Sequence, residues 1–242
     1  MLNPTASTLA TVQDIPTKKL AIAIAGVVTV GNSKIHGSTF STDPSQCKTG
    51  QKLAKIEGTS CNKCYALRLA KVYPSAQKSW TNNLEIFRKH QKENTLDLWA
   101  AAIAKQIIMI SNNKSKKGIS GAYQHRWFTA GDLDSVDMLR AICLVAELTP
   151  FIDHWLPTQE AGMLRQFHST LGTIPDNLVV RISATKINDA PRKVWFNTST
   201  THSKGTTAKH GYACPAQEQK GSCNDCTACW DDEVKNISYE VH

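Results

Sequence analysis

Positions 1–18 are polar and turn-rich, and an apolar run follows at 20–30, closing in β-branched residues before Gly31. A run of this length and composition predicts a first strand buried on both faces. It follows Lys18 and Lys19 as a signal-peptide core would, but it starts late, and its β-branched end favours a strand. A long polar connection, 31–60, carries Cys47. Near Ser60 the apolar spacing changes to three and four, the period of a helix. One predicted helix starts there, carries Cys64, Leu67 and Lys71, and stops at Pro74. A second sets Trp80, Leu84 and Phe87 on one face. A third aligns Leu96, Trp99, Ile103, Ile107 and Ile110 in a core-facing stripe.

After a lysine-rich loop at 113–118, a strand is predicted at 123–130, with Gly131 and Asp132 following it. Alternation along it turns Arg126, Phe128 and Ala130 one way and His125, Trp127 and Thr129 the other. Ser135 caps a helix holding Met138, Leu139, Ile142, Cys143 and Val145, which ends before Pro150. A strand at 151–156 follows, and its His154 and Trp155 read as core. Thr158 caps a helix with Leu164, Phe167 and Leu171 that ends at Gly172. Another strand spans 178–183. Beyond Lys186 the pattern weakens into short strands and ends in an edge strand at 237–241.

Strands alternating with helices imply βαβ units and a mostly parallel sheet. The expected fold is α/β, a TIM-barrel-like or partial barrel rather than an open doubly wound sheet. Its organisation is a polar segment at 1–19 and a single domain at 20–242, which includes a cysteine-rich tail at 214–242. Polar residues follow the strands: Asp132 and Asp134, Thr158 and Gln159, Ser183 and Thr185. Ligands of parallel α/β folds bind at those carboxyl ends, so Arg126 and Asp132 are a candidate ligand pocket, with a structural Arg–Asp pair as the alternative. No internal repeat, G-x-G-x-x-G, phosphate-binding loop or G-x-S-x-G elbow is present, which removes the motif basis for a nucleotide cofactor or a serine hydrolase.

Charge adds a partner class. Lys and Arg number 28 against 20 Asp and Glu, a net charge of +8. A basic balance suits polyanions, so DNA or RNA is the expected partner, met through Lys114, Lys116 and Lys117. The alternative is that these lysines form a solvated loop. No apolar stretch approaches membrane-spanning length, so no membrane partner is expected.

The eight cysteines carry the chemistry. Seven lie in two tight sets, a poor arrangement for disulfides and a good one for shared metal, and metal-binding thiolates imply a reducing compartment. The tail set is Cys214, then Cys223, Cys226 and Cys229 in a C-x2-C-x2-C run. Four thiolates serve zinc or an iron–sulfur cluster. The continuous run with a remote fourth favours a 4Fe-4S cluster, with zinc as the alternative. The head set is Cys47, Cys61 and Cys64. Three cysteines can hold a cluster with one iron open, as a radical enzyme using S-adenosylmethionine requires, although the usual C-x3-C-x2-C spacing is absent. Joint ligation by both sets, a redox pair and simple packing remain open for the head. Cys143, in an apolar stripe, reads as core. His202, His210 and His242 are minor alternative ligands.

The combination of Ser60-Cys61-x2-Cys64-Tyr65-Ala66, Arg126 with Gly131-Asp132, Cys214-Pro215 and Cys223-x2-Cys226-x2-Cys229-Trp230 with a terminal His242 resembles the phage gene product 88 domain family. The resemblance covers most of 45–242. It implies a barrel-like α/β fold binding a 4Fe-4S cluster through the tail cysteines, with Cys61 and Cys64 as a second pair. The expected function is therefore a phage-encoded iron–sulfur protein of the host cytoplasm, associated with nucleic acid through its basic surface. The alternatives are a cluster-dependent enzyme, radical or redox, and a zinc-stapled structural protein.

Overall fold

The computed structural model describes residues 12–241 apart from Ser33 and Leu171. Its strands are β1 (Ser38–Phe40), β2 (Gln124–Trp127), β3 (Asp153–Thr158), β4 (Leu178–Ser183), β5 (Asn197–His202), β6 (Tyr212–Ala213) and β7 (Asn236–Glu240). They form one sheet in the order β1-β2-β3-β4-β5-β7-β6, and every neighbouring pair is parallel. From β1 to β5 spatial order follows chain order. A doubly wound sheet reverses direction at a switch point, whereas successive right-handed crossovers in one direction put their helices on one face. The winding is thus that of a partial barrel, and the sheet stays open, with β1 and β6 at its edges.

The helices are α1 (Lys18–Ala25), α2 (Lys48–Leu53), α3 (Tyr65–Val72), α4 (Pro74–Glu93), α5 (Leu96–Lys116), α6 (Val136–Leu148) and α7 (Ala161–Ser169). The stripe Trp99, Ile103, Ile107 and Ile110 of α5 is buried, as are Met138, Leu139, Ile142, Cys143 and Val145 of α6. Ser135 caps α6 by accepting from the Met138 amide at 3.2 Å. These helices share one apolar core with Phe40, Trp127, Leu156, Val180 and Ile182 of the strands. Alternate strand residues therefore face the helices. Arg126, Trp155 and Arg181 lie at the intervening positions, on the sheet's other, inner face. A separate apolar group of Ile35, Trp155 and Trp230 sits there.

Several expectations need correction. The run 20–30 is not a strand: α1 occupies Lys18–Ala25 and crosses the expected boundary at residue 19. Thr17 caps it by accepting from the Leu20 amide at 3.2 Å. Its alanines favour helix, Gly26 at φ 82° ends it, and only Thr29 beyond reaches the sheet, in a bridge to Thr39. The connection 31–60 contains β1 and α2. The strand expected at 123–130 ends at Trp127, because Phe128 takes φ 53° and turns into the helix-side core, against the predicted alternation. Helix α7 begins after Glu160, so Thr158 acts before the helix, accepting from the Glu160 amide at 3.0 Å. Strand β7 pairs on both sides, and the edge is β6. The stretch 113–118 is largely the end of α5, where Lys114 and Lys116 complement the helix dipole.

Candidate metal and ligand site

The head cysteines lie on the connection leaving β1, at the carboxyl end of the sheet. Asp43 closes a turn by accepting from the Ser45 amide at 2.8 Å and binds Thr81 at 2.8 Å. The Thr42 amide donates to the Ala130 carbonyl at 3.0 Å. That approach requires Gly131, at φ 83°, because a side chain there would meet the Thr42 carbonyl and hydroxyl. Cys47 then precedes α2, whose first turn is held by Glu160: its carboxylate accepts from the Thr49 amide and hydroxyl, both at 2.7 Å. Before Cys61, the Gly58 carbonyl accepts from Ile187 at 2.8 Å, and Ser60 bonds Thr201 at 3.0 Å. Cys64 sits at the cap of α3. Ser60 thus ties the loop to β5 and does not open the helix.

Cys47, Cys61 and Cys64 line a cavity of about 190 Å³ together with Tyr65, Arg126, Asp132, Thr158, Gln159 and Ser183. Arg126 and Asp132 share this wall, and neither appears in an ion pair among the described residues. Asp132 instead accepts from Thr158 at 2.6 Å and the Gln159 amide at 2.9 Å, and burial pushes its pKa up to about 7. Gln159 leaves Oε1 buried without a partner. The Cys47 and Cys61 sulfurs flank Gly50, each 3.8 Å from where a side chain on that glycine would begin. Burial raises both thiols, Cys61 to about 11, and the neighbouring cysteines, Asp132 and Glu160 raise them further. Thiols that oppose one another's ionisation are a set that a cation would relieve.

The tail cysteines form a second set on the inner face. Cys226 Sγ is 3.7 Å from the Tyr212 hydroxyl and Cys229 Sγ 3.2 Å from that of Tyr239. Burial raises Cys229 to about 12, while Arg126 and Arg181 pull it down. Burial raises Cys223, as do Cys214 and Cys226, while Lys34 and Arg126 lower it. The cavity lined by Cys47, Cys61 and Cys64 has no tail cysteine on its wall. All eight cysteines are free. Among the described residues no group of three or more His, Cys, Asp or Glu side chains is placed to hold a metal ion. His202 bonds Ser238 at 2.8 Å, the His210 carbonyl accepts from Asn236, and His242 lies outside the described residues.

Sequence reasoning missed two residues that place these sets, Glu160 and Arg181, and quoted Trp230 only as part of the tail motif. Trp230 donates to the His125 carbonyl at 2.9 Å and meets Trp155 edge-on at 5.3 Å. Arg181 interrupts the otherwise apolar start of 178–183, and a charge in a buried strand was the available signal. Of the three lysines, Lys114 donates to the His36 carbonyl, and Lys116 and Lys117 are exposed.

A family model described as Gene product 88 matches residues 17–232. The chain belongs to this family of phage proteins. The matched span contains all eight cysteines, the cavity residues and both inner-face arginines. Searches of curated proteins and of solved structures find no match. No helix among the described residues is long and apolar enough to cross a membrane.

Proposed function

We propose that this Gene product 88 protein is an iron–sulfur enzyme of the radical S-adenosylmethionine type, with its reactive 4Fe-4S cluster on Cys47, Cys61 and Cys64. The observation that carries the reading is the placement of three free thiols on the wall of a cavity at the carboxyl ends of parallel strands. Three cysteines leave one iron of such a cluster without a protein ligand. A cluster held there by Cys47, Cys61 and Cys64 would, once reduced by an external donor, supply the one electron that divides S-adenosylmethionine into methionine and a 5′-deoxyadenosyl radical. The chain's own part is to bind and orient. Asp132 and the unpartnered Gln159 carbonyl offer acceptors to a ligand's ammonium or hydroxyl groups. Glu160 holds the helix that follows Cys47. Action in the host cytoplasm, where thiols stay reduced, goes with this reading.

Anaerobic reconstitution followed by reduction with S-adenosylmethionine tests it. The expected product is 5′-deoxyadenosine, lost in Cys61→Ala and Cys64→Ala. Brown, iron-loaded protein that binds no S-adenosylmethionine overturns it, as does zinc at the head set. Nucleic-acid association is the second reading, favoured by the exposed Lys116 and Lys117. It requires affinity for oligonucleotides that falls steeply with salt.

A further inference from the structure

The positive charge of the chain is unevenly placed. Residues 48–78 hold seven Lys and Arg side chains against one acid, Glu57, a net +6 out of the chain's +8. All seven are exposed, and none is in an ion pair among the described residues. The same segment forms one rim of the cavity. Cys47 precedes α2, Cys64 caps α3, and Gln51, Ala54 and Tyr65 line the cavity wall. Helix α3 is turned the wrong way for a surface helix. Only Ala66 of its eight residues is buried. Tyr65, Leu69 and Val72, spaced by four and three, form a stripe that faces solvent, and Tyr73 continues it. Val72 is 66% exposed and Tyr73 57%. Such a stripe ordinarily faces the core. Here Arg68 and Lys71 lie beside it, so an apolar centre has a cationic border. That is the anatomy of a protein interface.

We infer that the α2–α3 rim is the docking surface for an acidic electron-donor protein with an exposed one-electron group. The role rests on the reading of the head set as a reducible cluster, which needs an outside electron. Two observations select the occupant. The surplus charge attracts an anionic surface and steers it to this face. The branched aliphatics Leu69 and Val72 pack against protein side chains, whereas a nucleic-acid strand is held by flat rings on which bases stack. The rim also carries Cys47 and Cys64 directly, so a docked donor reaches the head set without crossing the core. The transfer moves a single electron. The donor is oxidised by one unit, the head cluster is reduced by one unit, and no bond is made or broken. A modest, charge-steered contact suits a partner that must leave after each transfer.

Binding to the cluster-free chain, titrated with flavodoxin as the acidic donor, tests the surface apart from any activity. Affinity should fall with salt and weaken about tenfold or more in Arg68→Glu/Lys71→Glu. Leu69→Ala/Val72→Ala should weaken it at high salt as well as low, because that loss is not screened. Lys89→Glu/Lys92→Glu on α4 makes the same change in net charge and should leave binding within about twofold, since screened charges far from the contact act weakly. No binding, equal weakening by the α4 pair, or a single-stranded oligonucleotide bound at this rim in place of flavodoxin overturns the inference. In the reconstituted protein, the ratio of 5′-deoxyadenosine formed with reduced flavodoxin to that formed with dithionite should drop in Arg68→Glu/Lys71→Glu, and an unchanged ratio overturns the donor role. If neither reductant gives product in the unaltered chain, the reading of the head set fails, while the binding titration still decides the surface.

Discussion

Trp127 Nε1 donates to His154 Nδ1 at 3.3 Å, so the His154 proton lies on Nε2, where Thr149 accepts it at 2.8 Å and passes its own hydrogen to the Val145 carbonyl. The chain is complete only with neutral imidazole. Burial accordingly depresses His154 from 6.5 to about 3. His125 is depressed too, by burial and by His154. A lowered histidine pKa leaves stability untouched above the unfolded value of 6.5. It removes stability as the pH falls below that value, by about 1.4 kcal/mol per pH unit for each proton, until the folded pKa is reached. Urea unfolding at several values between pH 7 and pH 4 should show this decline, and His154→Gln should remove about one proton from the slope. An unaltered slope would mean that His154 is charged in the folded protein.

At the scale of elements, local rules explain most of the helices and tertiary contacts explain the loops between them. Ser135 and Thr17 cap their helices as their residue types predict, and the spacing of α5 and α6 is plain in the sequence. Helix α2 is different. It has six residues, and its first turn is capped by Glu160, 111 residues away from Thr49. Nothing within a window around Cys47 reveals that partner. Glu160→Ala should cost about 1.5–3 kcal/mol, the range for a hydrogen bond to a charged group. It should also loosen Cys47 more than the distant β4. Hydrogen exchange would report this as faster exchange at 47–53 than at 178–183. Equal protection in both segments would show that α2 is held by something other than this cap.

At the scale of the molecule, a single apolar core joins the helices and the sheet, and the cysteine-rich tail lies outside it, on the inner face. The core does not need metal to form, so chelation should leave far-UV circular dichroism nearly unchanged while protease sensitivity rises at 214–235. Global unfolding on chelation would contradict this. The sequence by itself determined the alternation of helices and strands, the span of β4, the capped helices and the two cysteine sets, because periodicity, capping and close spacing act within a few residues. It misread 20–30, where alanine-rich helix and Gly26 prevailed over a β-branched end. Only the tertiary structure decided the rest. Parallel strands in chain order bring their carboxyl ends to one rim, so Cys47, Asp132, Gln159 and Ser183 meet there despite their separation in sequence. The same sheet turns Arg126 and Arg181 toward the tail. Which groups share a low-dielectric space depends on long-range strand order, and no local pattern encodes it.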